Sequence, residues 1–127
     1  MGFPSIDVHD ATNVGARCTS GVENTIGHDG RPADSTNSLC PHISGNAARV
    51  EIQGAANAAI SYTVSAPAEV TSGLRFDVLN NGNTVVANLD SAGILGVDVV
   101  GVLTLVNKAE VSSGAQSYSY DFVAAYQ

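Results

Sequence analysis

Basic residues and tryptophan are scarce in this sequence. Its 127 residues include one lysine, four arginines and no tryptophan, and the formal net charge is −7. Because affinity for nucleic acid depends largely on neutralising phosphates, this charge argues against a nucleic-acid-binding protein. Anionic membrane surfaces are disfavoured for the same reason. No apolar run reaches the roughly 18 residues that a transmembrane helix needs, so we expect no membrane span.

Catalytic motifs are missing as well. The sequence contains no G-x-S-x-G nucleophile elbow and no phosphate-binding glycine motif after a strand, and its carboxylates are scattered singly along the chain. We therefore expect neither an enzyme nor a bound cofactor. Charged residues make up 13% of the chain, about half of the usual share of ~25%. Such a surface must consist largely of Ser, Thr, Asn and Gly.

Alternating apolar residues dominate the chain from Ala47 onward, and no segment has a helical period. Alternation places apolar side chains on one face of a strand, and short strands separated by turn signals predict a sandwich. We expect one domain over residues 1–127, an all-β, mostly antiparallel Ig-like β-sandwich of about seven or eight strands. Asn80 to Asn83 predicts a tight hairpin. The predicted strand residues are Val50 and Ile52; Ile60, Tyr62 and Val64; Leu74, Phe76 and Val78; Val85, Ala87 and Leu89 as the return arm of the hairpin; and Ile94 to Val106, where the interruptions at Gly96 and Gly101 indicate a bulge or a bend.

Residues 16–46 are irregular and rich in turn-forming residues, and the only two cysteines, Cys18 and Cys40, bracket most of them. In an exported protein this arrangement favours a disulfide. Two free buried thiols remain an alternative, as does a metal site that adds His28 and His42, although the spacing is not that of zinc ligands. The oxygen-rich stretch 28–37 suggests either calcium ligands or, more simply, Asx and Ser turns.

The C-terminal stretch from Gly114 to Gln127 has the strongest alternation in the sequence. One face of a strand here would carry aromatic and small apolar side chains, and the other would be small or polar. This pattern fits the last strand of a sandwich, or a recognition element that offers a partner both backbone hydrogen bonds and alternate side chains. The residues on the aromatic face are Tyr118, Tyr120, Phe122, Ala124 and Tyr126.

This stretch resembles the C-terminal signature of chaperone–usher pilins. Gly114 is fourteenth from the end and Tyr126 is penultimate, as in that signature. Three further segments are similar to an uncharacterised family of bacterial secreted, fimbrial-type β-sandwich domains. The resemblance covers roughly Ala47 to Gln127, and its segments are Ala47–Gly54, Ile60–Pro67 and Gly96–Leu105.

The resemblance implies a structural subunit of an extracellular filament or surface assembly, joined to copies of itself by β-strand addition. A periplasmic chaperone is a further implied partner. Ile6 and Val8 form the candidate donor segment, although family donor strands carry a longer apolar row. The start of the chain lacks the features of a signal peptide, so the protein is either cytoplasmic or a mature exported domain with an added Met1, and the resemblance favours the second. The alternative is a self-contained binding or decoration module that uses the loop between Cys18 and Cys40.

Overall fold

The chain folds into β-strands joined by turns and irregular loops. The computed structural model describes residues 1–67, 69–114 and 116–127. In these residues no helix has the length and apolar character needed to cross a membrane. The described elements are β1 (Arg17–Thr19), β2 (Ala48–Gln53), β3 (Ala59–Ser65), β4 (Val70–Thr71), β5 (Leu74–Val78), β6 (Thr84–Asn88), β7 (Ile94–Val99), β8 (Gly101–Leu105), a 3-10 helix (Lys108–Glu110) and β9 (Asp121–Tyr126).

The strands form three antiparallel sheets. Their strand orders are β1-β8-β5-β4, β2-β7 and β6-β3-β9. The predicted all-β, antiparallel fold is therefore confirmed, and the arrangement is consistent with a β-sandwich. The strand number exceeds the seven or eight expected because β1 and β4 contain only three and two residues. Such short strands carry too little alternation to be recognised in a sequence.

The core lies between the inner faces of the strands. Alternate residues of β3 and β5 point into it, as the sequence pattern predicted. On β5, Leu74, Phe76 and Val78 are buried and Arg75 is exposed, whereas β8 buries four of its five residues. The buried cluster includes Val64, Leu74, Phe76, Val78, Val99, Leu103 and Leu105, together with both cysteines.

The apolar run from Ile94 to Val106 is broken into two strands at Val100. β7 pairs with β2, whereas β8 lies between β1 and β5. Gly101 begins β8, and a Cβ on it would lie 2.8 Å from the ring of Phe3. The hydroxyl of Ser20 accepts a hydrogen bond from the Gly101 N–H at 2.8 Å. The expected interruption at Gly101 is therefore confirmed, whereas the one expected at Gly96 is wrong, because Gly96 pairs with Glu51 inside β7.

The predicted hairpin at Asn80–Asn83 is wrong, although the turn itself is present. Asn80 and Gly82 adopt positive φ, at 58° and 80°. The next strand, β6, pairs with β3 and not with β5. Both edges of β5 are already occupied, by β8 and by β4. The side chain of Asn81 joins the turn to the end of β3, accepting from the Ala66 N–H at 3.0 Å and donating to the Ala66 carbonyl at 2.9 Å.

A disulfide joins Cys18 to Cys40, and both residues are fully buried. The favoured sequence interpretation is therefore confirmed. No thiolate remains for a zinc site, and no cysteine is free. Among the described residues, no three His, Cys, Asp or Glu side chains are grouped so that they could hold a metal ion.

Two buried asparagines support the irregular region that the disulfide closes. The Asn37 side chain accepts from the Asp34 N–H at 2.8 Å and donates to the Pro32 carbonyl at 3.1 Å. Asn24 accepts from the Thr19 N–H and donates to the Ile43 carbonyl, both at 2.9 Å. Buried backbone groups need such partners. These amides supply hydrogen bonds that a regular sheet would otherwise provide.

We expect the double variant Cys18→Ala, Cys40→Ala to be less stable than the parent protein. The disulfide spans 22 residues, and the chain-entropy model gives about 3 kcal/mol for closing a loop of this size. Denaturant unfolding measures the difference directly. Reductant should lower the midpoint of the parent protein and leave that of the double variant unchanged. Equal unfolding free energies of the two proteins would contradict the disulfide's role in stability.

Candidate functional site

The candidate assembly strand, β9, lies at the edge of its sheet. It pairs with β3 alone, with Phe122 opposite Val64 and Tyr126 opposite Ile60. The Gln127 N–H donates to the Ala59 carbonyl at 3.0 Å. In an antiparallel ladder the backbone groups of alternate residues face the partner strand. Those of Phe122, Ala124 and Tyr126 therefore face away from β3.

This outward-facing row of N–H and C=O groups has no partner among the described residues. Such a row is a template on which another strand can pair. Native edge strands are usually protected by lysine, proline, a bulge or a covering loop. β9 carries neither lysine nor proline, and its only charged residue is Asp121 at its start. The edge is therefore open to strand addition.

The predicted aromatic row is divided between two environments. β9 begins only at Asp121, so Tyr118 and Tyr120 precede the strand that was expected to include them. Ala115, in the same predicted stretch, lies outside the described residues. Gly114 has φ +123°, a conformation that suits glycine.

Aromatic stacking explains the positions of Tyr118 and Phe122. The Tyr118 ring stacks on Phe76 of the core with centroids 5.1 Å apart. Within β9, the Phe122 ring stacks on Tyr62 of β3 at 5.5 Å. Offset aromatic pairs of this kind stabilise a fold beyond their buried area. Tyr118 and Phe122 thus fix the two ends of the segment that leads into β9.

The last residues of the row are exposed. Tyr126 is 64% exposed, and its hydroxyl accepts a hydrogen bond from the Ala55 N–H at 3.1 Å. Gly54 has no side chain where the tyrosine ring lies, and a Cβ there would come within 2.6 Å of the hydroxyl. Tyr126 therefore ties the end of β9 to the turn after β2, while much of its ring remains accessible.

The Tyr118 hydroxyl is buried and has no hydrogen-bond partner among the described residues. Burial raises the pKa of this phenol, and the negative charge of Glu69 raises it further. A phenol with a raised pKa remains neutral at physiological pH. Tyr118 therefore contributes through the packing of its ring, and its hydroxyl forms no hydrogen bond with the described residues.

The candidate donor segment packs against the chain's own core. Ile6 and Val8 are half-buried against the core cluster. The Asp7 N–H donates to the Leu39 carbonyl at 3.0 Å, and Gly2 exchanges two backbone hydrogen bonds with Asn46. The segment belongs to none of the named strands. Few backbone hydrogen bonds thus hold it in place.

A groove of about 810 Å³ runs between this N-terminal segment and the segment before β9. Its lining brings together two sets of predicted residues that are distant in sequence. Leu74, Phe76 and Leu103 are the core residues that line it. The predicted residues that it unites are Ile6, Val8, Gly114, Tyr118 and Tyr120.

The outer face of the sheet β6-β3-β9 is almost uncharged. Ile60, Tyr62 and Val64 of β3 point inward. The other residues of β3 and the residues opposite them on β6 and β9 therefore face outward. Val86 and Val123 are 65% and 64% exposed there. The sequence pattern gave no sign that these two side chains would share one face of a sheet. The outward-facing set is Ala59, Ser61, Thr63, Ser65, Thr84, Val86, Asn88, Asp121, Val123 and Ala125.

Comparison of this chain with protein-family models, with curated proteins and with solved structures finds no match.

The oxygen-rich loop forms Asx turns, as the simpler sequence interpretation predicted. Asp34 Oδ1 accepts from the Thr36 N–H at 2.8 Å and from the Thr36 hydroxyl. Asp29 Oδ1 accepts from the Arg31 N–H at 3.1 Å. Hydrogen bonds from Thr36 lower the pKa of Asp34, and the bond from the hydroxyl has the larger effect, ahead of the bond from the N–H. The hydrogen bond from the Arg31 N–H is the main cause of the lowered pKa of Asp29.

The lowered pKa of Asp34 predicts an acid-sensitive loop. A carboxylate whose pKa falls below its ordinary value of 3.8 on folding stabilises the protein above that pH. This contribution is lost as the pH falls through the folded-state pKa. Asp34→Asn retains an oxygen acceptor but cannot titrate, so we expect a shallower loss of stability in acid. Unfolding free energies between pH 6 and about pH 2.5 would measure it.

Asp10→Asn serves as the control, because the Asp10 carboxylate accepts no hydrogen bond from the described residues. It should leave the acid dependence close to that of the parent protein. An acid dependence unchanged by Asp34→Asn would mean that the turn does not hold its carboxylate in the charged form.

Proposed function

We propose that this protein is a structural subunit of an extracellular filament or surface assembly, joined by β-strand addition. The observation that carries the proposal is the free edge of β9. Three residues, Phe122, Ala124 and Tyr126, direct their N–H and C=O groups away from β3. A strand added at this edge would gain main-chain hydrogen bonds for affinity, and alternate side chains would provide specificity.

The outer face of the same sheet supports close packing between copies. Exposed apolar side chains without neighbouring charge are costly in water and favour association. Val123, which lies on β9 itself, is 64% exposed on this face, and Thr63 and Thr84 share a hydrogen bond between their hydroxyls at 3.0 Å. A copy that adds a strand at β9 would extend this face into a broader, flat surface.

The N-terminal segment is the proposed donor. In a single copy, Ile6 and Val8 rest on their own core with few backbone hydrogen bonds. Strand addition would release this segment from its own core, and its backbone would pair with the outward-facing groups of Phe122, Ala124 and Tyr126 in a neighbour. A periplasmic chaperone could protect the β9 edge until strand addition takes place.

The disulfide supports placement outside the cytoplasm. Disulfides persist in oxidising compartments and are rare where glutathione keeps thiols reduced. The Cys18–Cys40 bond lies in the core and is not an exposed redox pair. Cell-surface or extracellular location follows from this proposal.

The second candidate is a self-contained binding or decoration module. The observation in its favour is that Ile6 and Val8 already cover the core of their own chain. A closed module would then present the disulfide-bonded loop to its ligand. The two candidates differ in whether the protein associates with itself.

We expect Ala124→Pro to reduce self-association. The Ala124 N–H faces away from β3, so proline would remove no hydrogen bond from the sheet but would block a strand added at β9. Negative-stain electron microscopy and light scattering of the full chain measure assembly. Filaments or stable oligomers of the parent protein should become much less abundant in this variant.

Val86→Pro is the matched control at the opposite edge of the same sheet. The Leu89 N–H donates to the Ala58 carbonyl, so by alternation the Val86 N–H also points away from β3. This variant should assemble like the parent protein. A parent protein that remains monomeric at all concentrations, or equal assembly of both proline variants and the parent, would contradict strand addition at β9 and favour the closed module.

A further inference from the structure

Two arginines flank one threonine on the sheet that contains β5. In the register of β1, β8 and β5, Arg17 and Arg75 are both directly opposite Thr104. Directly opposite residues of an antiparallel pair point to the same face. Neighbouring strands are about 4.8 Å apart, so the two arginine backbones lie roughly 10 Å apart. Their long side chains can converge over the threonine hydroxyl.

This row of residues borders a cleft of about 500 Å³. The turn after β5 and the disulfide-bonded loop form its other walls. The loop contributes His28, whose Nδ1 lies 3.1 Å from the Asn37 carbonyl. Because a carbonyl only accepts, Nδ1 carries the hydrogen, and Nε2 is left without a hydrogen-bond partner among the described residues. The turn contributes Asn80 and Asn81.

The cleft is lined by two arginines and one acidic residue, although the chain as a whole has a net charge of −7. The only ion pair among the described residues joins Arg49 to Asp98, so neither Arg17 nor Arg75 has a carboxylate partner there. Asp77 is the one acidic residue of the lining. Its Oδ1 already accepts from the Val78 N–H at 2.8 Å and from the Asn81 side chain at 2.7 Å.

We propose that this cleft binds a small ligand through an oxyanion, a carboxylate or a phosphate group. The guanidinium groups of Arg17 and Arg75 would bind it from two sides, and the Thr104 hydroxyl would donate between them. Guanidinium groups match the planar or branched geometry of such anions and form strong charge-assisted hydrogen bonds with them. An anion bound between the two guanidinium groups would also offset their mutual repulsion, since neither has a carboxylate partner among the described residues.

This site is separate from strand addition. It belongs to the sheet β1-β8-β5-β4, whereas β9 belongs to the sheet β6-β3-β9. Its ligand would be bound by side chains and not by a strand edge. Failure of either proposal leaves the other intact.

The test is a titration of the full chain with sodium phosphate and, separately, with sodium glucuronate, at constant ionic strength. Backbone amide chemical shifts report both affinity and location. We expect saturable shifts at the cleft, and Arg17→Gln and Arg75→Gln should each weaken binding about tenfold or more, the loss typical of one charge-assisted hydrogen bond. Asp77→Asn, which removes the only negative charge of the lining, should strengthen binding.

Arg49→Gln is the matched control, since that guanidinium is paired with Asp98 on the sheet β2-β7. Binding of both anions supports a general oxyanion site, whereas binding of phosphate or glucuronate alone supports a phosphorylated or an acidic-sugar ligand. Saturation by neither anion overturns the proposal. An Arg49→Gln effect as large as those at Arg17 and Arg75 also overturns it, because binding would then follow overall charge.

Discussion

Hydrogen bonding at both edges of β5 is the constraint on which the rest of the fold depends. β8 occupies one edge and β4 the other. The strand that follows the Asn80–Asn83 turn therefore cannot pair back on β5 and must join another sheet. It pairs with β3, and Asn81 ties the crossing point to the end of β3 through Ala66. Since β6 occupies one edge of β3, only the other edge remains for β9, and β9 becomes an edge strand itself.

The irregular first third of the chain is held by a different kind of interaction. The disulfide between Cys18 and Cys40 lies in the core, and the side chains of Asn24 and Asn37 satisfy backbone groups around it. A loop of this length could not remain ordered without such support. The same supports bring His28 to the cleft that Arg17 and Arg75 border. The disulfide-bonded loop therefore both orders the first third of the chain and forms one wall of the proposed anion site.

The two proposed surfaces make different physical demands. Strand addition at β9 needs an unpaired main-chain edge and little charge, since charge and proline are what native edges use against association. Anion binding needs concentrated positive charge, which this acidic chain provides at the Arg17–Thr104–Arg75 row. The two proposed surfaces lie on separate sheets, so the arginines are not part of the almost uncharged face proposed for contact between copies.

The sequence by itself determined where most of the longer strands lie and which side of β3 and β5 is buried. Val64, Leu74, Phe76 and Val78 all point into the core as their alternation predicted, and the cysteine pair and the interruption at Gly101 were predictable too. Alternation reports the face of a strand, because burial acts on side chains. Strand partners are chosen through backbone groups that nearly every residue shares, so pattern alone cannot identify them.

Tertiary structure alone decided the pairing and the sites that follow from it. The turn at Asn80–Asn83 suggested a hairpin, yet only the occupied edges of β5 determined where β6 would go. Tyr118 was expected within the last strand, but stacking on Phe76 takes it out of the sheet before β9 begins. Arg17, Arg75 and Thr104 are far apart in sequence, and only the register of three strands places them in one row.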